Sequence, residues 1–497
     1  MTGFGSLWYL LPSVCLLAGA LLILFLDLVV RRSGAHQGRL AVLFWGVALV
    51  SVVAAGVSSL ALQRDEAVRI LSVLTYDGFT GYLWLLILVA LGLVVLLGES
   101  YLRHRITELG LYYACLLLFG LGALLLASAT NTVMLLLAVD FLSLVGYILT
   151  GFLHYDKRST EAAIKYLIYG SAVSAVMAFG LSWLYGLTGT TDYVATAEVF
   201  AGRFAWSGGR VIPPTTLIPV LVFVLAGFSF KIGAAPFHQW LPDAFEGAPA
   251  PVASALAVVP KLAGFAALVR VTMVVLPVGT TLGELWRWPL VAFLAVMAMF
   301  AGNLTGIWQT NMKRLMAYSG IAQVGYGLVG AATATERGLT ALLLYLTAYT
   351  VAELGVFAAI TVMSDKVGLE EVEDYRGLYH RAPLLTGVLM LGVLSLFGMP
   401  GTGGFMGKLW LLMGALEDGR FTLLVIMTIN GLISLSYYWK VIRTTFVHTD
   451  HSMAPVSVPA ASCVVLGASA VAIVGIGVYP NLVLRWAEAA IQVFFHG

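Results

Sequence analysis

The chain reads as a succession of long apolar runs separated by short polar connections. About 20 apolar residues cross a bilayer. By that measure fourteen segments stand out, at 7–30, 39–61, 78–98, 107–128, 132–154, 161–187, 215–241, 249–275, 286–307, 311–332, 337–362, 383–415, 420–446 and 459–488. Each predicts a helix, because lipid offers backbone groups no hydrogen-bond partner outside the segment itself. The first run lacks a basic stretch before it and exceeds a signal-peptide core, so it reads as a retained helix. Two connections are longer, at 188–213 and 364–381. The second, SDKVGLEEVEDYRGLYHR, is the most charged stretch and suits a solvated connector or a short surface helix.

Two segments are interrupted. Segment 7 carries Lys231 and then Pro236; segment 12, within LSLFGMPGTGGFMGKLWLL, carries Pro400, a glycine cluster and Lys408. Proline removes a backbone donor and clashes with the preceding turn, so a break is expected at each. Lys231 and Lys408 lie 177 residues apart, and Lys261 and Lys440 lie 179 apart. Matching interrupted helices point to a repeat with the working site at the breaks. The pattern predicts an all-α polytopic membrane protein with two inverted five-helix repeats, segments 4–8 and 9–13. Its single membrane domain, 1–497, divides into 1–106, 107–275, 286–447 and 459–497.

Composition agrees. The 497 residues are 60% hydrophobic and 10% charged, against about 25% charged in soluble domains; mean hydropathy is +0.95. A net charge of +2 gives no reason to expect nucleic acid. Cys15, Cys115 and Cys463 lie in separate apolar runs, without metal-ligand or disulfide spacing. No Walker loop, G-x-G-x-x-G or nucleophile–base pattern appears, so no ATP or NADH site is expected here. Orientation follows the Lys/Arg bias of the loops. With the N-terminus outside, inner loops carry 13 Lys/Arg, including Arg31, Arg32 and Arg39, and outer loops 8, including Arg64, Arg203 and Arg210, which favours both termini outside. The tryptophans and tyrosines read as anchors at the membrane interface.

Charge inside the spans is the candidate chemistry: Asp140, Lys165, Lys231, Lys261, Glu353, Lys408 and Lys440. A lysine at the bilayer centre costs about 2.5–3.5 kcal/mol on insertion scales, so it must face protein or water, and its usual employment is to move protons or ions. Asp140, moving toward or away from Lys231, would switch that lysine between holding and releasing a proton, and Lys231, Lys261 and Lys408 would form a relay along the membrane plane. Buried lysine–carboxylate pairs are also used statically, and lysines near helix ends snorkel; Lys165 and Lys440 fit both uses. Glu353 fits a role as a balancing charge. His238, just past the expected break, fits a core histidine or a proton carrier. Asp243 and Glu246 are expected in a loop, capping the next helix.

The stretch GFSFKIGAAPFHQWLPDAFEGAPAPVASALAVVPK resembles the antiporter-like, proton-translocating membrane subunits of respiratory complex I (NADH-quinone oxidoreductase), most closely their N type. STEAAIKYLIYGSAVSAVMAFGLSWLYG, NMKRLMAYSGIAQVGYGLVG and EDYRGLYHRAPLL are similar to N-type segments as well, so the resemblance runs from about segment 4 to segment 13. It implies that the family's carboxylate falls on Asp140, its lysines on Lys165, Lys231 and Lys261, and the N-type lysine of segment 12 on Lys408. Two departures stand out. The carboxylate is one methylene short, and Gln323 stands where many bacterial members carry histidine, so no proton relay through that position is expected. The resemblance further implies proton pumping driven by electron transfer from NADH to quinone, with FMN, iron–sulfur clusters, NADH and quinone held by other subunits and no cofactor on this chain. Its partners would be the M-type antiporter-like subunit, the small K, J and A subunits, and membrane lipid. Subunits of Mrp-type cation/proton antiporters and of membrane-bound hydrogenase-like complexes are the alternatives.

Overall fold

Apolar runs become helices here because each helix satisfies its own backbone, and polar residues at their ends supply the caps. The computed structural model describes residues 4–33, 37–62, 67–201, 214–276, 279–368, 370–447 and 455–495. Helices α1 (Leu11–Ser33), α2 (Gln37–Ala61) and α3 (Gly78–Leu102) lead into α4 (Leu109–Ser128), α5 (Thr132–Thr150), α6 (Lys157–Thr188), α7 (Tyr193–Phe200), α8 (Pro214–Ile232), α9 (Trp240–Gly247) and α10 (Ala250–Arg270). Then follow α11 (Thr281–Leu285), α12 (Ala292–Gly306), α13 (Met312–Thr333), α14 (Glu336–Lys366), α15 (Leu378–Arg381), α16 (Pro383–Phe397), α17 (Gly403–Glu417), α18 (Phe421–Phe446), α19 (Ala460–Val478) and α20 (Asn481–Ile491). Side-chain caps hold several starts: Asp77 accepts from Thr80 N at α3, Asn131 from Val133 N at α5, and Asn311 from Lys313 N and Arg314 N at α13.

Among the described residues, 11 stretches are long and apolar enough to cross a membrane, and Thr216–Ile232 and Pro383–Phe397 are shorter apolar helices. The central helices are α10 and α14, whose most apolar windows are 100% and 94% buried inside the protein. Charges on them are therefore enclosed by protein rather than by lipid.

Both expected breaks exist, but each opens before its proline. α8 ends at Ile232 and Gly233 turns out of it at φ +77; α16 ends at Phe397 and Gly398 turns out at φ +96. Glycine enters the left-handed region without steric penalty, so it stops the helix, and the proline beyond keeps it from resuming. The breaks are 165 residues apart whereas the lysines are 177 apart, so the two do not keep step. Lys231 precedes its break, on the last turn of α8; Lys408 follows its own, on α17.

Several expectations are corrected. The run 459–488 is two helices, because Pro480 ends the first and starts the second. The run at 286 starts earlier, with α11 and a wider helical turn around Pro289 (Trp286–Val291). A short hairpin, β1 (Val68–Ile70) with β2 (Leu74–Tyr76), precedes α3. The 364–381 connector is docked rather than solvated: Val372 and Tyr375 are buried, and Glu370 pairs with Lys313 at 2.8 Å. The 188–213 connector forms α7, and its stretch 202–213, with Arg203 and Arg210, lies outside the described residues, as does Arg64. Not all aromatic residues are interface anchors: Trp84, Trp240 and Trp286 are fully buried, and Trp240 stacks on Tyr166 with centroids 3.9 Å apart. Their ring area fills gaps between helices.

A buried ion pair ties the ends of the bundle together. Arg270, last in α10, donates to both oxygens of Asp77 (2.9 and 3.0 Å) and to Thr80 Oγ1 (2.8 Å). The rings of Phe79 and of Phe494, near the C-terminus, flank the guanidinium. The cation sits at a helix C-terminus and the anion at a helix N-terminus, where the backbone dipoles favour each.

Candidate functional site

Lys231, Lys261 and Lys408 are all buried, and among the described residues none of them has an ion-pair partner within 4 Å. Neutral acceptors hold each one. Lys231 Nζ donates to Ser143 Oγ (3.0 Å) and approaches Val139 O (3.4 Å), both on α5. Lys261 Nζ donates to the Tyr349 hydroxyl (2.7 Å), which itself donates to Ala257 O (2.9 Å). Gly320 makes the room: a Cβ there would stand 2.4 Å from Lys261 Nζ. Lys408 Nζ donates to Leu396 O (2.7 Å) and Phe397 O (3.0 Å), with the Tyr326 ring 4.3 Å away. These are the last carbonyls of α16, which the helix end leaves without an intrahelical donor.

A polar chain runs from the third lysine toward the second. Leu396 O also accepts from Gln323 Nε2 (2.9 Å), which donates to the Tyr438 hydroxyl as well (2.9 Å). Tyr345, one turn from Tyr349 on α14, donates to the Gln323 side-chain oxygen. Gln323 therefore shares an acceptor with Lys408 and sits in the gap toward Lys261. A carboxamide neither gains nor loses a proton near neutral pH, so it organises this gap without titrating.

Asp140 does not meet Lys231. It accepts from Ser174 Oγ of α6, beside a cavity of about 330 Å³ lined by Asp140, Ser143, Tyr147, Ser171 and Ser174. The same cavity reaches Ser143, the hydroxyl that holds Lys231. The short aspartate thus shares a helix and a cavity with the serine that holds Lys231, while its own hydrogen bond goes to α6.

Lys165 is not enclosed. Its side chain is 42% exposed and pairs with Glu161 (2.7 Å) and Asp243 (2.9 Å). Asp243 and Glu246 lie in α9 and do not cap α10, whose N-cap is Pro249. Instead Arg314 donates to Asp243 (2.5 Å) and Glu246 (2.8 Å), so the α9 carboxylates join α6 to α13. Burial opposes the charge on Asp243, but the hydrogen bonds from Lys165 and Arg314 outweigh it and hold its pKa below the usual value. Arg314 also approaches Gln309 Oε1, and half-buried Lys440 donates to Gln309 O (3.0 Å), so this ionic belt reaches α18. His238, in the segment 7 break, is half-buried, and its Nδ1 has no partner.

The sequence singles out the charges and misses the groups that hold them, Ser143, Ser174 and Tyr349, and the Tyr345 and Tyr438 hydroxyls around Gln323. One signal was present. Tyr345, Tyr349 and Glu353 recur at four-residue spacing, one face of a helix.

The family model described as "NADH:quinone oxidoreductase/Mrp antiporter, TM" matches residues 129–434. NADH-quinone oxidoreductase subunit N of Anaeromyxobacter sp. (strain Fw109-5) is 37% identical, over 98% of this chain and 97% of its own. A chain of respiratory complex I from Thermus thermophilus superposes with a TM-score of 0.79 at 26% identity, covering 96% of this chain and 99% of that one. A chain of the Mrp complex from Dietzia sp. shares the fold, with a TM-score of 0.81 at 18% identity over 99% and 98% of the two chains. The chain therefore belongs to the NADH:quinone oxidoreductase/Mrp antiporter family of membrane subunits, in its subunit N branch.

Proposed function

We propose that this chain is a proton-translocating membrane subunit of a respiratory NADH:quinone oxidoreductase. The observation that carries the reading is the set of three enclosed lysines, Lys231, Lys261 and Lys408, each held by hydroxyl or carbonyl oxygens in place of a carboxylate. A static charge in such a place would be expected with an ion-pair partner. A lysine held by neutral acceptors releases its proton without stranding an anion. The near full-length similarity to subunit N supports complex I over an Mrp-type antiporter, for which the likeness is of fold. In this reading Asp140 acts on Lys231 through the Ser143 cavity, and the belt of Lys165, Asp243, Arg314 and Lys440, with His238 nearby, is where protons enter the enclosed lysines. The two broken helices support two five-helix units, 107–275 and 286–447. Electron transfer, and the NADH, FMN, iron–sulfur clusters and quinone that perform it, belong to other subunits. The M-type, K, J and A subunits are the neighbours, and both termini face the outer side.

The test is proton pumping per electron in vesicles holding the assembled complex. Lys231→Met and Lys408→Met should abolish it. Lys231→Arg and Lys408→Arg should fail nearly as badly, because arginine keeps its proton in proteins. Near-normal pumping by both arginine variants would take proton transfer away from these lysines.

A further inference from the structure

Glu353 lies midway along α14, in the most enclosed part of the molecule. It is fully buried, and neither carboxylate oxygen has a hydrogen-bond partner. Among the described residues no cation stands within ion-pair distance of it. Lys261, on α10, reaches the same face of α14 through its hydrogen bond to Tyr349. The other titratable groups facing it are the hydroxyls of Tyr349 and Tyr345 on its own helix and Tyr438 on α18. Tyr349 is four residues earlier on the same helix face, and its hydroxyl both accepts from Lys261 and donates to Ala257 O.

An isolated carboxylate enclosed in protein carries a penalty of several kcal/mol, and a folded core does not retain one without compensation or use. Two arrangements remove the penalty: an ammonium–carboxylate couple, or an amine beside a carboxylic acid. They differ by one proton. The N–H bond of the Lys261 ammonium breaks, its electron pair stays on nitrogen, and an O–H bond forms on Glu353. The couple is neutral before and after, so the shift needs no counter-ion.

We propose that Glu353 is a proton-holding station coupled to Lys261, loaded and emptied with it in each pumping cycle. The chain then holds two lysine–carboxylate couples, Lys231 with Asp140 and Lys261 with Glu353, followed by Lys408, which has no carboxylate. The proposal rests on the proton-translocation reading above.

The experiment compares Glu353→Gln, Glu353→Asp and Lys261→Met in the assembled complex. It reads pumping per electron in vesicles and the carboxylic C=O band in infrared difference spectra during turnover. The expected result is loss of pumping and of one carboxylic band in Glu353→Gln, substantial recovery of both in Glu353→Asp, and loss of the same band in Lys261→Met. If Glu353→Gln pumps as the parent does while Lys261→Met is inactive, Glu353 carries no proton and the proposal alone falls. If Lys261→Met also pumps normally, the translocation reading falls with it. Should Glu353→Gln not assemble, Lys261→Met decides: loss of the carboxylic band supports the couple, and an unchanged band overturns it.

Discussion

Asp140 and Ser143 line the same cavity, and Ser143 is the hydroxyl that takes Lys231. Asp140→Asn keeps the shape and retains an acceptor for Ser174, so the complex should assemble while pumping drops sharply. Asp140→Glu should pump well, since the added methylene lengthens the reach toward Lys231. Full pumping by the Asn variant would remove Asp140 from the pathway. At this scale the sequence was informative about charge and silent about hydroxyls. A lysine within twenty apolar residues announces itself through its insertion penalty, whereas Ser143 and Tyr349 look like any other helix residues until the fold sets them opposite Lys231 and Lys261. Lys165 shows the converse limit: its depth depended on where α9 folds back, which no local pattern encodes.

Among the elements, the broken helices set how each lysine is held. The segment 12 break frees two carbonyls for Lys408, and Gly398 both turns the chain and leaves space, since a Cβ there would lie 3.1 Å from Lys408 Cδ. Gly398→Ala forces an L-residue to φ +96, a strain of about 1–2 kcal/mol. It should lower both the thermal stability of the assembled complex and its pumping. Gly387→Ala, in the same helix with nothing within 4 Å of the added carbon, is the control and should change neither. Equal behaviour of the two variants would mean that the break does not depend on Gly398. The existence of both breaks was legible from Pro236 and Pro400. Their positions were set by Gly233 and Gly398, because a glycine that can turn left-handed stops a helix before the proline has to.

For the whole molecule, loop charge is the available guide to orientation, and it can be checked on the folded form. With the native cysteines replaced, Val194→Cys on α7 should react with an impermeant thiol reagent in intact cells, and Glu373→Cys should react only after permeabilisation. The reverse pattern would invert the molecule. Helix succession was readable end to end because the apolar runs are long. The centrality of α10 and α14 was not, since every run is apolar and hydropathy does not rank helices by what surrounds them.

The Asp77–Arg270 pair has a consequence for how the protein is made. Its halves are separated by 193 residues, which a ribosome adding about 5–20 residues per second takes roughly 10–40 s to bridge. For most of that interval α3 exists with an aspartate at its start whose guanidinium partner has not yet been made. Asp77 has to wait in contact with water at the membrane edge, and α3 cannot settle to its final place until α10 has been synthesised. Phe494 arrives later still, so the seal over the pair closes only as the chain is released. The two charges can therefore meet a little past the middle of synthesis, whereas the aromatic cover over them is completed only at its end.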